Sequence, residues 1–504
     1  MERSSFWEAT SAAPEYPALK EDTAFDAVVV GAGFTGITAA LLLAESGAKV
    51  AVVEADRIGS GTSGRSTVKV TCQHTLKLHT LGDEKARAYY AANKSGFDFV
   101  CGLVERNGIG CDFERLPAYV YARGDECLPD IEKEAEFYSK LGIDGGVTEK
   151  TGLPFGVKCA LVMRDQAQFH PLKYLYALAR RFTACGGSIF ERTKAQRFER
   201  GADCAVITKN ATLRSRDVIF ATNYPMTDFP GLFFLKLHQE REYAICAKAD
   251  GLDIGGMYIS AQKPANSMRM YRSGDENRLI LVGYGHRTAK EDDDFSGYDR
   301  LKELLRRDFK TADPDPDYAW SAQDCRTLDG IPYVGPVYAE PPGVYVAAGY
   351  EKWGVTNSAA AAMMISDAIA GTGHIDRHIR KAFDPLRFTP AASAKNFLIH
   401  TGNVAGAFTA GNILIPEGSY GDIKPGEGAV MRVGAKAQAV YRDTDGKIHA
   451  FEAHCTHMRC PLEYNAAEKS FDCPCHGSRF GTDGEVLNGP ANEPLCRITE
   501  RPER

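Results

Sequence analysis

The sequence predicts two domains of different classes, an α/β (α+β) domain with an inserted antiparallel sheet and a small all-β domain at the C-terminal end. An apolar run, a glycine turn, an alanine- and leucine-rich segment and a second apolar run predict a βαβ unit over Phe25–Glu54. Alternating runs within Glu240–Gly285 predict the inserted sheet. From Phe408 onward, glycines and prolines separate short β-like runs, which is typical of an all-β domain.

Length and charge narrow the class of protein. The chain has 504 residues, more than one compact domain usually holds. Its net charge of −6 does not indicate a nucleic-acid-binding surface. No apolar run approaches the roughly 18–20 residues that cross a bilayer, and Met1–Asp22 lacks the basic start and apolar core of a signal peptide. We therefore predict a cytoplasmic protein with no transmembrane segment and no nucleic-acid partner.

Composition shifts along the chain predict its domain organisation. Residues 1–24 are predicted as an N-terminal arm, either folded back or disordered. The α/β domain is expected over 25–390, with a substrate-binding part at about 226–320. A stretch rich in Arg, His and Pro follows Gly371 and reads as a connector, so 391–410 is predicted as a linker and 411–504 as the all-β domain.

Apolar periodicity and β-branched runs predict further elements. They are helices at Thr35–Ser46, His170–Cys185 and Asn357–Ile369, and strands at Ser188–Phe198, Ala205–Thr208, Val218–Ala221, Arg278–Val282, Val344–Ala348, Ala429–Val433, Ala437–Tyr441 and Lys447–Ala450. The two domains are thus predicted to differ in strand length and in helix content.

A glycine motif after the first strand predicts a Rossmann-type dinucleotide site. Gly31 would allow the tight turn, Gly33 the approach of a pyrophosphate, and Gly36 the close packing of helix on strand. The start of the following helix offers free N–H groups and a positive dipole end to phosphates. Glu54 ends the second strand, where an acidic side chain binds ribose hydroxyls.

Four further segments decide between the possible dinucleotides. They are Arg57–Val68, Asp165–Pro171, Ala221–Pro225 and the pair Asp329–Pro336 with Gly349–Asn357. In content and order they resemble the signatures of the D-amino-acid oxidase (DAO)-like flavoprotein superfamily, over about residues 25–372. The resemblance implies FAD rather than NAD(P). A second G-x-G-x-x-G for a nicotinamide is absent from the sequence, so the flavin is expected to be reduced by the substrate itself.

The resemblance also implies which residues bind FAD. They are Gly31, Gly33, Phe34, Thr35, Gly36, Glu54, Ala55, Arg57, Thr62, Ser63, Gly64, Arg65, Ser66, Thr67, Ala221, Thr222, Gly330, Gly349, Lys352, Trp353, Gly354, Val355 and Thr356. A covalent flavin link at Cys325, just before the last of these motifs, stays open.

The cysteines fall into two groups. Nine of the 14 are scattered from Cys72 to Cys325, a pattern typical of reduced, buried thiols. The other five lie between Cys455 and Cys496, four of them in one short window, and such a cluster indicates a metal before it indicates disulfides.

The ligand spacing in that window predicts a Rieske-type [2Fe-2S] cluster. Cys455 and His457 form C-x-H, and Cys473 and His476 form C-x-x-H. Two thiolates would bind one iron and two imidazoles the other. Tetrahedral zinc is the alternative for a Cys₂His₂ set, but zinc fingers usually pair like ligands, whereas here each pair is mixed.

The longer motifs C-T-H-x-x-C and C-P-C-H-G-S resemble the Rieske proteins of respiratory and photosynthetic cytochrome complexes. The resemblance implies a disulfide between Cys460 and Cys475, with two free thiols as the alternative. It also implies that Ser478 donates a hydrogen bond to the cluster, which raises the reduction potential. Phe480 stands where a tyrosine is common, so we predict a potential below that of the respiratory type. A Rieske oxygenase is disfavoured because the domain order is reversed and no ligand set for mononuclear iron is found.

Together the two halves resemble bacterial fusions of a DAO-like FAD-dependent oxidoreductase with a Rieske domain. The hypothesis is a dehydrogenase or oxidase acting on a C–N bond of a small amine or amino-acid-like substrate. Electrons would pass from flavin to cluster and on to an external acceptor, a protein or a quinone. The alternatives are an electron-transfer flavo-iron–sulfur protein without small-molecule oxidation, and an oxygen-using oxidase in which the cluster is structural.

Catalytic candidates come from position alone. Lys352 and Trp353 lie in the predicted flavin-covering loop, where a lysine could stabilise the reduced ring or activate oxygen, although a surface lysine beside a core tryptophan fits equally. Arg269 on the predicted substrate sheet could bind a carboxylate in bidentate fashion, or lie on an exposed sheet face. Tyr243 and Tyr271 lie on the same predicted sheet, where they could face the substrate or lie on an exposed sheet face, and His74 and His79 are expected to be core or surface residues.

Overall fold

The structure, a computed structural model, describes residues 4–274, 276–289, 296–341, 343–387, 390–413 and 415–498. It separates into two compact units. The first comprises Met1–Pro225, Glu242–Gly285 and Tyr298–Phe388, and the second Met226–Arg241, His286–Gly297 and Thr389–Arg504. Among the helices of the described ranges, none is both long enough and apolar enough to cross a lipid bilayer.

The helices are distributed over both units. They are α1 Phe6–Ala9, α2 Phe34–Glu45, α3 Leu78–Leu81, α4 Asp83–Asn107, α5 Leu128–Leu141, α6 Pro171–Ala184, α7 Phe233–Lys236, α8 Ser296–Asp308, α9 Gly354–Ala370, α10 Arg377–Ala382 and α11 Pro390–Ile413, with 3₁₀ turns at Thr62–Arg65, Asp125–Cys127 and Tyr420–Asp422. Several end at a glycine in the left-handed region, as α4 does at Gly108.

The strands are short and numerous. They are β1 Thr23–Val30, β2 Val50–Val53, β3 Lys69–Val70, β4 Glu114–Ala122, β5 Gly145–Thr148, β6 Cys159–Gln168, β7 Ser188–Phe190, β8 Ala195–Arg200, β9 Cys204–Thr208, β10 Thr212–Phe220, β11 Leu237–Lys248, β12 Met257–Ser260, β13 Ser267–Ser273, β14 Glu276–Arg287, β15 Tyr318–Thr327, β16 Tyr333–Pro336, β17 Gly343–Ala348, β18 Gly428–Val433, β19 Lys436–Arg442, β20 Ile448–Glu452, β21 Glu463–Asn465, β22 Ser470–Asp472, β23 Arg479–Gly481 and β24 Val486–Asn488.

A largely parallel sheet organises the first unit. Its strand order is β16-β17-β10-β1-β2-β7, with β8 and β9 attached beside β10. Strands β17, β10, β1, β2 and β7 run parallel, and in register Val30 pairs with both Val53 and Phe220. Their side chains are apolar and buried, as expected of strands covered on both faces. Because these strands are parallel and in register, their carboxyl ends meet at one edge.

A second sheet has the order β15-β11-β14-β13-β12-β4-β6-β3, with β5 paired to β6. Most neighbours in it are antiparallel, while β12 and β4 are parallel. In the second unit, β18-β19-β20 and β21-β22-β23-β24 form two small antiparallel sheets. Their core includes Phe471 and Phe480 together with the cysteines of the ligand motif. The α/β (α+β) and all-β classes predicted from the sequence are therefore both present.

Two predicted segments differ from the structure. The single strand predicted at Ser188–Phe198 is two strands, β7 and β8, because Arg192 between them has a left-handed φ of +49° and turns the chain. The predicted linker 391–410 lies within the helix α11. Alanine-rich sequence and a proline at the first helical position favour that helix. It was missed because its apolar residues do not form one stripe.

Candidate functional site

The predicted dinucleotide motifs meet at the carboxyl edge of the parallel sheet. Gly31 follows β1, Glu54 follows β2, Ala221 follows β10 and Gly349 follows β17. These four strands are neighbours and parallel. Ligands of open α/β sheets bind at this edge, in the crevice beyond the strand ends. The fold thus gathers motifs that are more than 300 residues apart in the chain.

The glycine loop leaves the main chain open at the start of α2. Gly31 has a φ of +105°, and a Cβ there would lie 2.6 Å from the carbonyl oxygen of Ala221. A Cβ at Gly36 would overlap the carbonyl oxygen of Gly31. No described side chain caps α2 at Gly33, although Ser63 Oγ accepts a hydrogen bond from the Phe34 N–H. A glycine-rich helix start of this kind can bind a pyrophosphate through its remaining N–H groups.

We expect Gly36→Ala to remove most of the bound flavin. The added methyl group needs the space of the Gly31 carbonyl, so the loop must move away from the start of α2. The ratio of flavin absorbance to protein absorbance in the purified protein measures the loss. Gly156→Ala is the matched control, because nothing lies within 4 Å of a Cβ at Gly156. Full flavin content in Gly36→Ala would contradict this account of the loop.

Glu54 and Arg57 flank the same edge. The Glu54 carboxylate accepts hydrogen bonds from the main-chain N–H groups of Ala32 at 2.8 Å and Asp56 at 3.1 Å. Burial raises the pKa of Glu54. The Arg57 guanidinium points to the N-terminal arm instead, donating to the Pro14 carbonyl at 3.2 Å. Ala55 lies between them in the chain, and its main-chain N–H also bonds to the Glu54 carboxylate.

The second predicted flavin loop, which includes Thr62–Thr67, is held in place through its main-chain carbonyl oxygens. Ser5 Oγ donates to the Gly64 carbonyl at 2.7 Å, Trp7 Nε1 to that of Ser66 at 2.8 Å, and Trp320 Nε1 to that of Arg65 at 2.9 Å. Thr62 Oγ1 donates to the Gln323 carbonyl at 2.9 Å. Three successive carbonyls of this loop, those of Gly64, Arg65 and Ser66, are therefore fixed by side chains from outside it.

We expect Trp7→Ala to weaken both the first unit and its hold on flavin. Trp7 is fully buried against Phe6, His170 and Tyr271, so its loss removes an indole core contact as well as the bond to Ser66. Such truncations destabilise by about 3–5 kcal/mol. Thermal unfolding and the rate of flavin release on dilution measure the effect. Val147→Ala, at a side chain that is 53% exposed, should change stability by less than about 0.5 kcal/mol.

The loop after β17 and the start of α9 carry the predicted flavin-covering residues, from Lys352 to Thr356. Glu351 and Lys352 have left-handed φ values of +53° and +77°, and the Lys352 N–H donates to Asp324 Oδ2 at 2.6 Å. Burial raises the pKa of Asp324 to about 6. Trp353 stacks on His74 with ring centroids 4.7 Å apart, just before Gly354, Val355 and Thr356 begin α9.

The remaining predicted flavin residues are placed by single contacts. The Gly330 carbonyl accepts from Lys77 Nζ at 2.7 Å, and Lys77 also pairs with Glu351 at 2.8 Å. Thr222 Oγ1 donates to the Tyr224 carbonyl at 2.5 Å. Thr35 Oγ1 lies 2.8 Å from Tyr350 Oη, which links α2 to the loop after β17. Cys325 is buried, and burial raises the pKa of its thiol well above the usual value.

Lys69, which was not among the predicted residues, lies deep in the first unit with only partial exposure. Its Nζ donates to the Tyr258 carbonyl at 2.8 Å and to Ser267 Oγ, and lies 5.9 Å from the centroid of the Trp353 ring. Burial lowers the pKa of Lys69 to about 7, opposed by the charge of Glu242. The signal for it in the sequence was a lone lysine between two valines, directly after the second flavin loop.

Arg269 is a fully buried cation near Lys69, and its charge lowers the Lys69 pKa further. Its Nη2 donates to the Phe169 carbonyl at 3.0 Å, and the guanidinium lies 5.0 Å from the Trp7 ring centroid. Within the described ranges no carboxylate oxygen lies within 4 Å of it. Burial lowers the pKa of Arg269 to about 9. Arg269 is only 1% exposed, so the alternative of an exposed sheet face is wrong for this residue.

The other polar candidates have structural partners. Lys352 Nζ is paired with Glu242 at 2.6 Å. Tyr271 Oη donates to Asp112 at 2.8 Å, and Tyr243 packs edge-on against Tyr298 in an apolar cluster. Burial lowers the pKa of His74 well below its usual value, and His79 Nδ1 lies 2.9 Å from Glu134.

The second unit brings together the four predicted cluster ligands. Cys455 and His457 lie between β20 and β21, and Cys473 and His476 between β22 and β23. The two imidazole rings are perpendicular, with centroids 5.1 Å apart. In the described part of the chain, Nδ1 of each is buried and lacks a hydrogen-bond partner. Two orphaned ring nitrogens side by side are the observation that fits a bound metal cluster.

The two sulfurs support the same assignment. A hydrogen bond from Cys473 lowers the pKa of the Cys455 thiol to about 6, and that contact raises the pKa of Cys473. Two thiolates this close to each other are stabilised by a metal cation beside them. A single zinc ion would need all four ligand atoms within about 4 Å of one another. Among the described residues, the triad gathered within 4.8 Å is instead Cys460, Cys473 and Cys475, so the predicted ligands suit two irons better than one zinc.

The disulfide predicted by resemblance is present between Cys460 and Cys475, whose Cα atoms are 6.5 Å apart. It joins the two ligand loops next to Cys473. Ser478 hydrogen-bonds to the Cys455 sulfur, while its Oγ accepts from the Ala491 N–H at 3.0 Å. Phe480 is fully buried in the small core. The loops that would surround a cluster are thus fixed on both sides.

Residues outside the ligand motifs also hold these loops, and sequence analysis missed them. Gln239 Nε2 donates to the carbonyls of His476 at 2.9 Å and Gly489 at 2.7 Å. Arg287 donates to the Cys475 carbonyl at 2.9 Å and to His400 Nδ1 at 3.1 Å. His400, in α11, therefore donates through Nε2 to the Phe234 carbonyl at 2.9 Å, and burial lowers its pKa to about 4.

Comparison with known proteins agrees with both sites. The family model described as FAD dependent oxidoreductase (DAO) matches residues 26–368, and that of the Rieske [2Fe-2S] domain matches 415–499. The Rieske 2Fe-2S iron-sulfur protein YhfW of Bacillus subtilis (strain 168) is 34% identical over 499 residues, which is 98% of this chain and 97% of the relative.

Two further comparisons concern the first unit. Gamma-glutamylputrescine oxidoreductase of Escherichia coli (strain K12) is 25% identical over 382 residues, 71% of this chain and 86% of the relative. Glycine oxidase from Geobacillus kaustophilus has a similar fold, with a TM-score of 0.62 at 18% identity over 73% of this chain and 99% of that one. The chain therefore belongs to the FAD dependent oxidoreductase family and carries a C-terminal Rieske [2Fe-2S] domain, with FAD and a Rieske cluster as its cofactors.

Proposed function

We propose that this oxidoreductase acts on the C–N bond of a small amine or amino-acid-like substrate, and that its electrons pass from flavin to the Rieske cluster and on to an external acceptor protein or quinone. The observation that carries the substrate class is a pair of cations, Lys69 beside Trp353 and the buried Arg269 beside Trp7, whose indole N–H is bonded to the Ser66 carbonyl of the second flavin loop. The names of gamma-glutamylputrescine oxidoreductase and glycine oxidase point to the same class.

When bound, FAD would supply the hydride acceptor and the cluster a one-electron outlet. The substrate would lose a hydride from the carbon beside nitrogen and a proton from the nitrogen. The resulting imine would react with water to give a carbonyl compound and a free amine or ammonia. The groups of this chain must therefore hold the substrate and remove its proton.

Lys69 is suited to accept the proton from the substrate nitrogen. An ammonium group must lose a proton before hydride leaves the neighbouring carbon, and an amine with a pKa of about 7 is partly neutral at neutral pH and can accept it. Its two hydrogen bonds, to Tyr258 and Ser267, fix Nζ in place. Trp353, 5.9 Å away at the start of α9, brings this amine near the loop predicted to cover the flavin.

Arg269 is suited to bind a carboxylate group of the substrate. A buried guanidinium that pairs with a main-chain carbonyl and an indole face retains an unneutralised charge. An anionic substrate group would neutralise it, and a carboxylate fits a guanidinium with two hydrogen bonds. This favours amino acids and N-substituted amino acids over simple amines.

An external acceptor needs access to the cluster unit. Phe229 is 63% exposed and Met458 is 45% exposed, and each is next in the chain to a member of the hydrogen-bonded pair Asp228–His457. Exposed apolar side chains beside a redox centre are what a transient protein or quinone partner would contact. A cytoplasmic location is proposed with it, supported by the buried free thiols of the first unit.

Anaerobic mixing with a panel of amines and amino acids tests the proposal, with flavin absorbance and EPR recorded together. Bleaching of the flavin by one substrate, followed by the rhombic signal of a reduced Rieske cluster, is the expected result. Bleaching without the EPR signal would contradict the relay. If dithionite reduces both centres and no substrate does, the substrate class is wrong. Stoichiometric peroxide release in air would favour an oxidase with a structural cluster.

A further inference from the structure

The predicted cluster ligand His457 forms a hydrogen bond with the carboxylate of Asp228, which lies in the same unit but 229 residues earlier in the chain. His457 Nε2 lies 2.6 Å from Asp228 Oδ2, and the side chains are only 11% and 16% exposed. Nδ1 is the orphaned nitrogen of this ring and the atom left for iron. The ring proton must then be on Nε2, which donates it to Asp228.

Asp228 is itself fixed in position. Its Oδ1 accepts a hydrogen bond from the Phe234 N–H at 3.1 Å, and its main-chain carbonyl accepts from Leu232 at 2.6 Å. Asn492, in the loop after Pro490, donates to the Met226 carbonyl at 3.2 Å. The carboxylate therefore sits on a short closed turn whose position does not depend on His457 alone.

The two histidine ligands have different surroundings. The ring of His476 packs against Phe234 and His400, with centroids 6.3 and 6.1 Å away, where His457 has a carboxylate. Asp228 also lies outside residues 415–499, which match the Rieske domain. The negative charge is thus placed on one side of the ligand set, by a segment that the domain alone does not contain.

We propose that Asp228 is a positioning residue for the cluster, which orients His457 through Nε2 and lowers the reduction potential. Reduction adds negative charge to the cluster, and a fixed anion one imidazole away opposes that addition. A carboxylate accepting from the ligand ring also makes the ring a stronger electron donor to iron, which favours the oxidised state. Both effects lower the reduction potential of the cluster. A lowered potential favours onward transfer of the electron to an acceptor.

The test is the cluster midpoint potential of the full-length protein, measured by EPR-monitored titration at one fixed pH. Asp228→Asn keeps the shape and one acceptor oxygen but removes the charge. We expect the cluster to become easier to reduce by about tenfold, equivalent to a rise of about 59 mV for one electron, with a shift in the EPR g values. Asp228→Glu, which keeps the charge, is expected to stay near the wild-type potential.

A matched control is available in the same unit. Asp443 Oδ2 lies 3.0 Å from His449 Nε2, an aspartate–histidine pair in which the histidine is not a cluster ligand. Asp443→Asn should therefore leave the potential and the g values unchanged. An equal shift in Asp443→Asn and Asp228→Asn would overturn the proposal, because any lost surface charge would then suffice.

Two other results would also overturn it. One is an unchanged potential in Asp228→Asn at full iron content, and the other is an equal shift in the Asn and Glu variants. If Asp228→Asn fails to retain iron, the Glu variant decides: retention at the wild-type potential supports a need for the carboxylate, and loss of iron contradicts a role for its charge. Electrode or dithionite reduction needs no substrate, so this result is independent of the proposed amine oxidation.

Discussion

Cys473→Ser is expected to abolish the cluster signals while the flavin stays bound. Cys473 is buried beside Cys455 and the disulfide, so its loss leaves one iron with a single thiolate in a site closed to other ligands. The iron content should fall to near zero, and the EPR signal after dithionite should disappear. The FAD motifs lie in the other unit and should be unaffected.

Cys496→Ser is the matched control, because Cys496 is an exposed free thiol in the same unit. It should retain full iron and an unchanged EPR spectrum. Metal analysis of the wild type separates the two metals considered: two irons with two sulfides per chain are expected. One zinc per chain, lost in Cys473→Ser, would contradict the cluster.

Lys69→Met is expected to slow substrate-dependent flavin reduction by roughly 10²–10⁴-fold, the usual contribution of a general base. Methionine keeps the length of the side chain without the amine. In the wild type the rate should rise with pH through about 7, because Lys69 accepts a proton only in its neutral form. In Lys69→Met that rise should vanish. Rapid-mixing absorbance across a pH series measures both.

Lys94→Met is the control for this experiment, since Lys94 forms an exposed pair with Asp98 on the surface of α4. Lys352→Met separates the two lysine candidates. A large loss in Lys352→Met with a small loss in Lys69→Met would transfer the role to Lys352 and would make the burial of Lys69 merely structural. An unchanged pH profile in Lys69→Met would contradict proton transfer to this residue.

Motifs with local spacing were the part of the site that could be predicted. Gly31, Gly33 and Gly36 are close in sequence, and their chemistry needs only a strand before and a helix after them. Cys455 with His457, and Cys473 with His476, carry the same kind of signal. That the glycine motif meets Glu54 and Ala221 follows from parallel strands in register, which the alternation of strands and helices already indicates.

Isolated polar residues were the part that could not be predicted. Lys69, Asp228 and Gln239 each contact chain that is distant in sequence, and a single Lys, Asp or Gln has no spacing to recognise. For Arg269 the sequence indicated only the strand on which it lies. Its burial against Trp7 could not be predicted, because it depends on where the N-terminal arm folds. Helix α11 was missed because its alanines give propensity without a periodic apolar stripe.

The bonds that hold the ligand loops set an order for the assembly of the protein on the ribosome. Asp228 is made 229 residues before His457, and Gln239 is made 250 residues before Gly489. The early segments must therefore stay available until almost the whole chain has emerged. The long sequence separation adds little to the free energy of loop closure, since each doubling of loop length adds only about 0.6 kcal/mol. Iron and sulfide should consequently be incorporated only after the late ligand loops have been made and have met their early partners.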